Sequence, residues 1–132
     1  MKPIALTDLT IDISTTGLLR TLRVDEDSDD GRQVLSLLQS AREVARPKAL
    51  YKEAFIEERG DGYIVIDGIR FNSHILQVNL KDNNRVFPYI VTCGREVDEW
   101  STQTQDMLEQ YWADEIKAAI LMSAFREFTS RV

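Results

Sequence analysis

A chain of 132 residues with 43% hydrophobic and 29% charged side chains has the composition of a soluble globular protein large enough to bury its own core. Sixteen basic against 22 acidic residues give a formal charge of −6, a field that repels a phosphate backbone, and no Lys/Arg cluster overrides it. Nucleic acid is therefore excluded as an expected partner, and the longest apolar run, Ala118 to Met122, is far too short for a membrane span. The N-terminus lacks the basic start and continuous apolar stretch of a secretory signal, and a single cysteine cannot form an intramolecular disulfide. A cytoplasmic protein is expected.

Ile4 to Ile13 alternates apolar and polar residues, as a short strand or extended edge segment does. Ser14, Thr15 and Thr16 supply caps for a short helix carrying Leu18, Leu19 and Leu22. The run Asp25 to Gly31 holds five acids in six positions, without the alternate ligands, central glycine and closing glutamate of an EF-hand loop. It reads as a solvated linker whose acids favour the N-terminus of the next helix. Arg32 to Ala45 is amphipathic, with Val34, Leu37, Leu38, Ala41, Val44 and Ala45 on one face, and Pro47 ends it.

Ala49 to Glu57 and Tyr63 to Asp67 read as strands, joined by a turn over Arg59 to Gly62. Asp67-Gly68 makes a second turn into a third strand, Ile69 to Phe71. Ser73 caps a short helix bearing Ile75, Leu76 and Leu80, with a strand as the alternative, and Lys81 to Arg85 is a polar loop. Val86 to Val91 suits a buried strand, and Thr92, Cys93 and Gly94 form the corner after it. A short helix with Glu96, Val97 and Trp100 follows, and Ser101 to Gln105 separates it from a long helix starting near Asp106. Between Ile116 and Phe125 apolar residues surround that helix, which predicts burial on more than one side. The expected fold is α+β, with a small mixed or antiparallel sheet packed with helices. One domain spans 1–132, with an N-terminal segment (1–24), an acidic linker (25–31) and a main body (32–132).

His74 is the only histidine, so a His-based metal cluster cannot form within one chain, and no metal ligands are assigned. Cys93 lies where a strand meets a helix N-terminus, a place that lowers a thiol's pKa and offers amides to an anion. With no histidine nearby in sequence to act as base, packing as a small hydrophobe is the preferred reading of Cys93. The acids Glu96, Asp98 and Glu99, and Asp114 with Glu115, read as solvated faces, and Trp100, Tyr111 and Trp112 as core at helical spacing. No catalytic constellation emerges, and the chain alone is not expected to be an enzyme.

Four blocks taken in order, ARPKALYK (Ala45 to Lys52), IDGIRFNSHIL (Ile66 to Leu76), VFPYIVTCGREVDEW (Val86 to Trp100) and DMLEQYWADEIKAAIL (Asp106 to Leu121), resemble the activation domain of cobalamin-dependent methionine synthase. The resemblance extends especially to short stand-alone bacterial proteins similar to that domain. The match covers about residues 32 to 125: a helix ending in Arg-Pro, a strand closing in a Thr-x-Gly turn at Thr92-Cys93-Gly94, then a helix pair whose long second member carries Ala113, Asp114, Ala118 and Ala119.

The resemblance implies reductive reactivation, in which S-adenosylmethionine is presented to a cobalamin with over-oxidised cobalt. It makes cobalamin or S-adenosylmethionine the implied cofactor, a corrinoid protein or methyltransferase the implied partner, and Thr92, Cys93 and Gly94 the candidate cofactor-binding residues. The family's Arg-x-x-x-Gly-Tyr cofactor signature, which follows the long helix, does not occur in these 132 residues, and Arg59 to Tyr63 is one residue too short to match it. Two expectations follow: an accessory or half-domain of corrinoid methyl transfer, or a non-catalytic interaction module on the same scaffold. An apolar helix lacking its family cover also predicts a two-fold homodimer.

Overall fold

The structure, a computed structural model, describes residues 2–104 and 106–132; Met1 and Gln105, the end of the predicted interhelical break, lie outside the described residues. The elements run β1 (Ile4–Leu6), α1 (Thr15–Leu22), α2 (Asp29–Val44), β2 (Lys48–Tyr51), β3 (Ala54–Gly60), β4 (Tyr63–Ile66), β5 (Ile69–Asn72), α3 (His74–Asn79), β6 (Arg85–Val86), β7 (Tyr89–Thr92), α4 (Arg95–Ser101) and α5 (Met107–Arg131). The class is α+β with a long C-terminal helix, as expected. One sheet has the order β1-β2-β7 and the other β5-β4-β3-β6. The chain resolves into two compact units, one comprising the residues up to Ala5 with Leu50–Ile90, the other Leu6–Ala49 with Val91–Val132. The chain crosses from one to the other within β1, β2 and β7.

In the first unit, β3, β4 and β5 form an antiparallel meander, and β6 pairs on the far side of β3. The register Gly60↔Tyr63 leaves Asp61-Gly62 as the loop of one hairpin, and Ile66↔Ile69 leaves Asp67-Gly68 as the loop of the next. Asp67 and Gly68 both have positive φ (53° and 79°), the twist that fits a two-residue hairpin, and Asp-Gly is the dipeptide that tolerates it. A bulge interrupts β3 between Ile56 and Glu58, and the Glu57 carboxylate there accepts a hydrogen bond from the Gly68 amide at 2.9 Å. Lys52 pairs with Asp67 at the same turn. The core of this unit is small: Ala54, Ile64 and Ile66 are buried, with Ile56, Leu76, Leu80 and Val86 packed around them. Ser73 caps α3 by accepting from the Leu76 amide at 3.2 Å, which settles the helix-or-strand alternative as helix.

Two predicted strands are each divided. Ala49 to Glu57 becomes β2 and β3, which belong to different sheets, and Val86 to Val91 becomes the end of β6 and most of β7. Pro88 explains the second division, because a residue without an amide hydrogen cannot continue the ladder. Its carbonyl instead accepts from the Lys52 amide at 3.2 Å, beside the first break.

The second unit is helical. Leu18, Leu19 and Leu22 of α1, Val34, Leu38 and Ala41 of α2, Val97 of α4, and Trp112, Ile116 and Ile120 of α5 make one buried cluster. Local side chains cap the starts of α1, α2 and α5. Ser14 Oγ accepts from the Gly17 amide at 3.0 Å, Ser28 Oγ from Gly31 at 3.0 Å, and Asp106 Oδ1 from Leu108 at 2.8 Å. Asp29 and Asp30 occupy the first turn of α2, where negative charge meets the positive end of the helix dipole, so that helix starts three residues before its predicted beginning. At its other end Ala45 turns to an extended conformation (ψ 138°) ahead of Pro47.

The predicted N-terminal strand is shorter than its alternating pattern. Only Ile4–Leu6 is strand; beyond it Asp8, Thr10 and Asp12 bond to α5 instead of to a neighbouring strand. Arg131 holds Asp8 at 2.7 Å, the Thr10 hydroxyl donates to Glu127 at 2.9 Å, and the Asp12 amide donates to Ser123 Oγ at 2.8 Å. The intervening Leu9 is buried and Ile11 and Ile13 pack against the core, so a period of two is read out against a helix.

Candidate functional site

The Thr92-Cys93-Gly94 corner is where β7 ends and α4 begins. Gly94 is the N-cap of α4 with φ +99°, a conformation that L side chains rarely adopt. A Cβ there would also lie 2.8 Å from both the Arg46 carbonyl oxygen and a Glu96 carboxylate oxygen. Glycine is thus required twice over, by backbone angle and by the close passage of the segment after α2. That passage is fastened by the Arg46 amide, which donates to the Cys93 carbonyl at 3.3 Å. The Gly94 amide donates to Thr92 Oγ1 at 3.1 Å, tightening the corner from inside.

Cys93 is half-buried against the helical core. Burial pushes its thiol above the ordinary value of 9.0, the neighbouring Lys117 ammonium draws it down, and Asp98 opposes that pull. The net direction is upward, so the sulfur is a neutral thiol at physiological pH and not a nucleophilic thiolate. Lys117 Nζ donates to Asp98 Oδ1 at 2.8 Å and to Ser101 Oγ at 3.3 Å. The buried Ser101 hydroxyl in turn donates to the Asp98 carbonyl at 2.7 Å. The hydrogen bond to Asp98 raises the Lys117 pKa, which keeps that ammonium charged.

Sequence reasoning found the corner but missed Lys117, which stands 24 positions beyond Cys93 and reaches it only because α4 and α5 pack together. No local pattern announces such a neighbour. His74 is exposed at the start of α3. Among the described residues no group of three or more His, Cys, Asp or Glu could hold a metal ion. Trp112 is buried in the core, and Trp100 donates its indole N–H to Ser40 Oγ at 3.0 Å, so both tryptophans serve packing, as their helical spacing suggests.

No family model and no curated protein matches this chain. The corner must therefore be judged on its own chemistry. The Cys93 carbonyl, Gly94 amide and Thr92 hydroxyl are bonded within the chain, the thiol is neutral, and the Arg46 carbonyl passes close beside Gly94. Thr92, Cys93 and Gly94 are thus tied to their own chain. They suit a rigid joint that sets α4 and α5 against the end of α2. Among the described residues no helix is long and apolar enough to cross a membrane.

The long helix has two unlike faces. Trp112, Ala113, Ile116, Ile120, Ser123, Ala124 and Phe128 are buried. Ala118, Leu121 and Met122 are exposed, the last by 52%, so the expected burial on more than one side is found on one side of the single chain. Beside that outer face a groove of about 420 Å³ runs between α1 and α5.

Proposed function

We propose that the chain is an accessory of corrinoid-dependent methyl transfer: a half-domain that docks on a corrinoid protein, or completes a split activation domain, while over-oxidised cobalamin is returned to its methylated form. The ordered resemblance of the four blocks carries the reading. The order of β7, the glycine corner, the short α4 and the long α5 supports it. Because the corner's own groups are engaged within the chain, cobalamin or S-adenosylmethionine is held in this reading by the partner, and the chain contributes a docking surface. Its setting is the cytoplasm, where a lone thiol stays reduced, and its working form is a two-fold homodimer. Titrating the purified protein with a corrinoid protein, with and without S-adenosylmethionine, tests the proposal by calorimetry. Saturable binding in either condition is expected, and no heat of binding in both overturns it.

A second reading, a non-catalytic interaction module on the same scaffold, is favoured by the neutral, half-buried Cys93 thiol. Turnover, or tight cofactor binding by the isolated chain, would count against it.

A further inference from the structure

On α5 the residues Leu108, Tyr111, Glu115, Ala118 and Met122 recur at alternating spacings of three and four, which places them along one seam of the helix. Leu108 and Tyr111 are each 49% exposed, and Ala118 and Met122 are exposed as well. The groove beside this seam is lined by the small residues Gly17, Ala118 and Ala119 together with Met122, and it also includes Glu115 and Arg126. Eleven residues are close to three full turns, so Glu115 and Arg126 lie on the same face, roughly 16 Å apart along the axis. The midpoint between positions 115 and 126 is also the midpoint between 119 and 122. A second helix laid antiparallel about that midpoint meets an acid with a base at both ends, and a long methionine with an alanine on both sides of the centre.

We infer that this seam is the contact surface between two copies of the chain. The two α5 helices pack antiparallel about a two-fold axis, Met122 of each copy sits against Ala119 of the other, and Glu115 and Arg126 pair across the interface at both ends. Such an arrangement is isologous, one patch meeting itself. Charge complementarity selects a second copy as the occupant, because the same seam supplies both signs in the register that its own reversal requires. Within its own chain the exposed Arg126 guanidinium donates to the Asp12 carbonyl at 3.3 Å. The inference rests on the homodimer in the reading above and gives it a surface and a register.

Sedimentation equilibrium at micromolar concentration tests it, with circular dichroism to verify that each variant folds. The parent chain is expected to be a dimer. Glu115→Arg and Arg126→Glu, taken singly, set like charges opposite each other in both symmetric pairs and are expected to weaken dimerisation at least about tenfold. The double variant E115R/R126E restores opposite charges and is expected to return to within about threefold of the parent. Met122→Glu, which buries a charge at the centre, is expected to give monomer. A monomeric parent overturns both this surface and the homodimer, whether or not the face accepts a helix from another protein. A dimer that ignores the single swaps, or that the double swap fails to restore, overturns the surface alone. The corrinoid titration is independent of all these outcomes, so the two proposals fail separately.

Discussion

At the scale of single residues, Gly94 and Cys93 separate structural demand from chemical opportunity. Gly94→Ala forces a side chain into a left-handed conformation and within 2.8 Å of the Arg46 carbonyl, and it is expected to destabilise the protein by about 2 kcal/mol or more, read from urea unfolding midpoints. A change below half a kcal/mol would mean the corner can relax. For Cys93, burial keeps the thiol neutral, while a backbone hydrogen bond and, after it, the Lys117 charge restrain the upward shift. Alkylation by iodoacetamide at pH 8 is therefore expected to run roughly tenfold slower than for an unstructured thiol, and Lys117→Met to slow it further. An alkylation rate equal to that of a small free thiol would contradict the burial described.

At the scale of elements, the N-terminal segment is tied to α5 by side chains, and those ties titrate. A hydrogen bond and the charge of Arg131 hold Asp8 below its ordinary 3.8. Burial pushes Glu127 up, but hydrogen bonds from Thr10 and Arg131 outweigh it and leave the carboxyl below its ordinary 4.5. A carboxyl depressed in the folded state adds stability that is complete above its ordinary value and is lost as pH falls through the lowered one. The segment from Asp8 to Asp12 should therefore stay docked at neutral pH and loosen below about pH 4, ahead of the helical core. Backbone NMR shifts of Thr10 and Asp12 should follow the carboxyl titrations of Glu127 and Asp8; shifts that stay flat until global unfolding would refute the coupling. Within α5, Ile120 is fully buried, and Ile120→Ala is expected to cost about 2–5 kcal/mol by the transfer and cavity terms together. Thermal unfolding measures that cost, and exposed Leu121→Ala should leave the midpoint of an isolated monomer nearly unchanged.

At the scale of the whole molecule, the two units differ in how much they bury. One rests on Ala54, Ile64 and Ile66, the other on a cluster contributed by four helices. Amides in β3, β4 and β5 are therefore expected to exchange with deuterium sooner than those of α2 and the middle of α5, because local opening costs less where fewer apolar groups are buried. Equal protection in both would show that the smaller core is supported from elsewhere.

Much of this architecture was legible in the chain itself, wherever the physics is local. Ser14 and Ser73 fixed the starts of α1 and α3, Asp67-Gly68 fixed a hairpin, Pro47 ended α2, and the three-four spacing of α5 declared a long helix. Each of these depends on backbone angles and hydrogen bonds among neighbours a few residues apart. What lay beyond the sequence depends on contacts between distant segments. The alternation of Ile4 to Ile13 states only that one side is apolar; whether Asp8, Thr10 and Asp12 face a strand or a helix is decided by where α5 passes. The apolar residues around α5 likewise could not say which of them one chain would cover. Nor could the corner foretell its surroundings: local geometry demanded glycine at position 94, but the Arg46 carbonyl beside it and the Lys117 ammonium near the half-buried Cys93 arrived through packing.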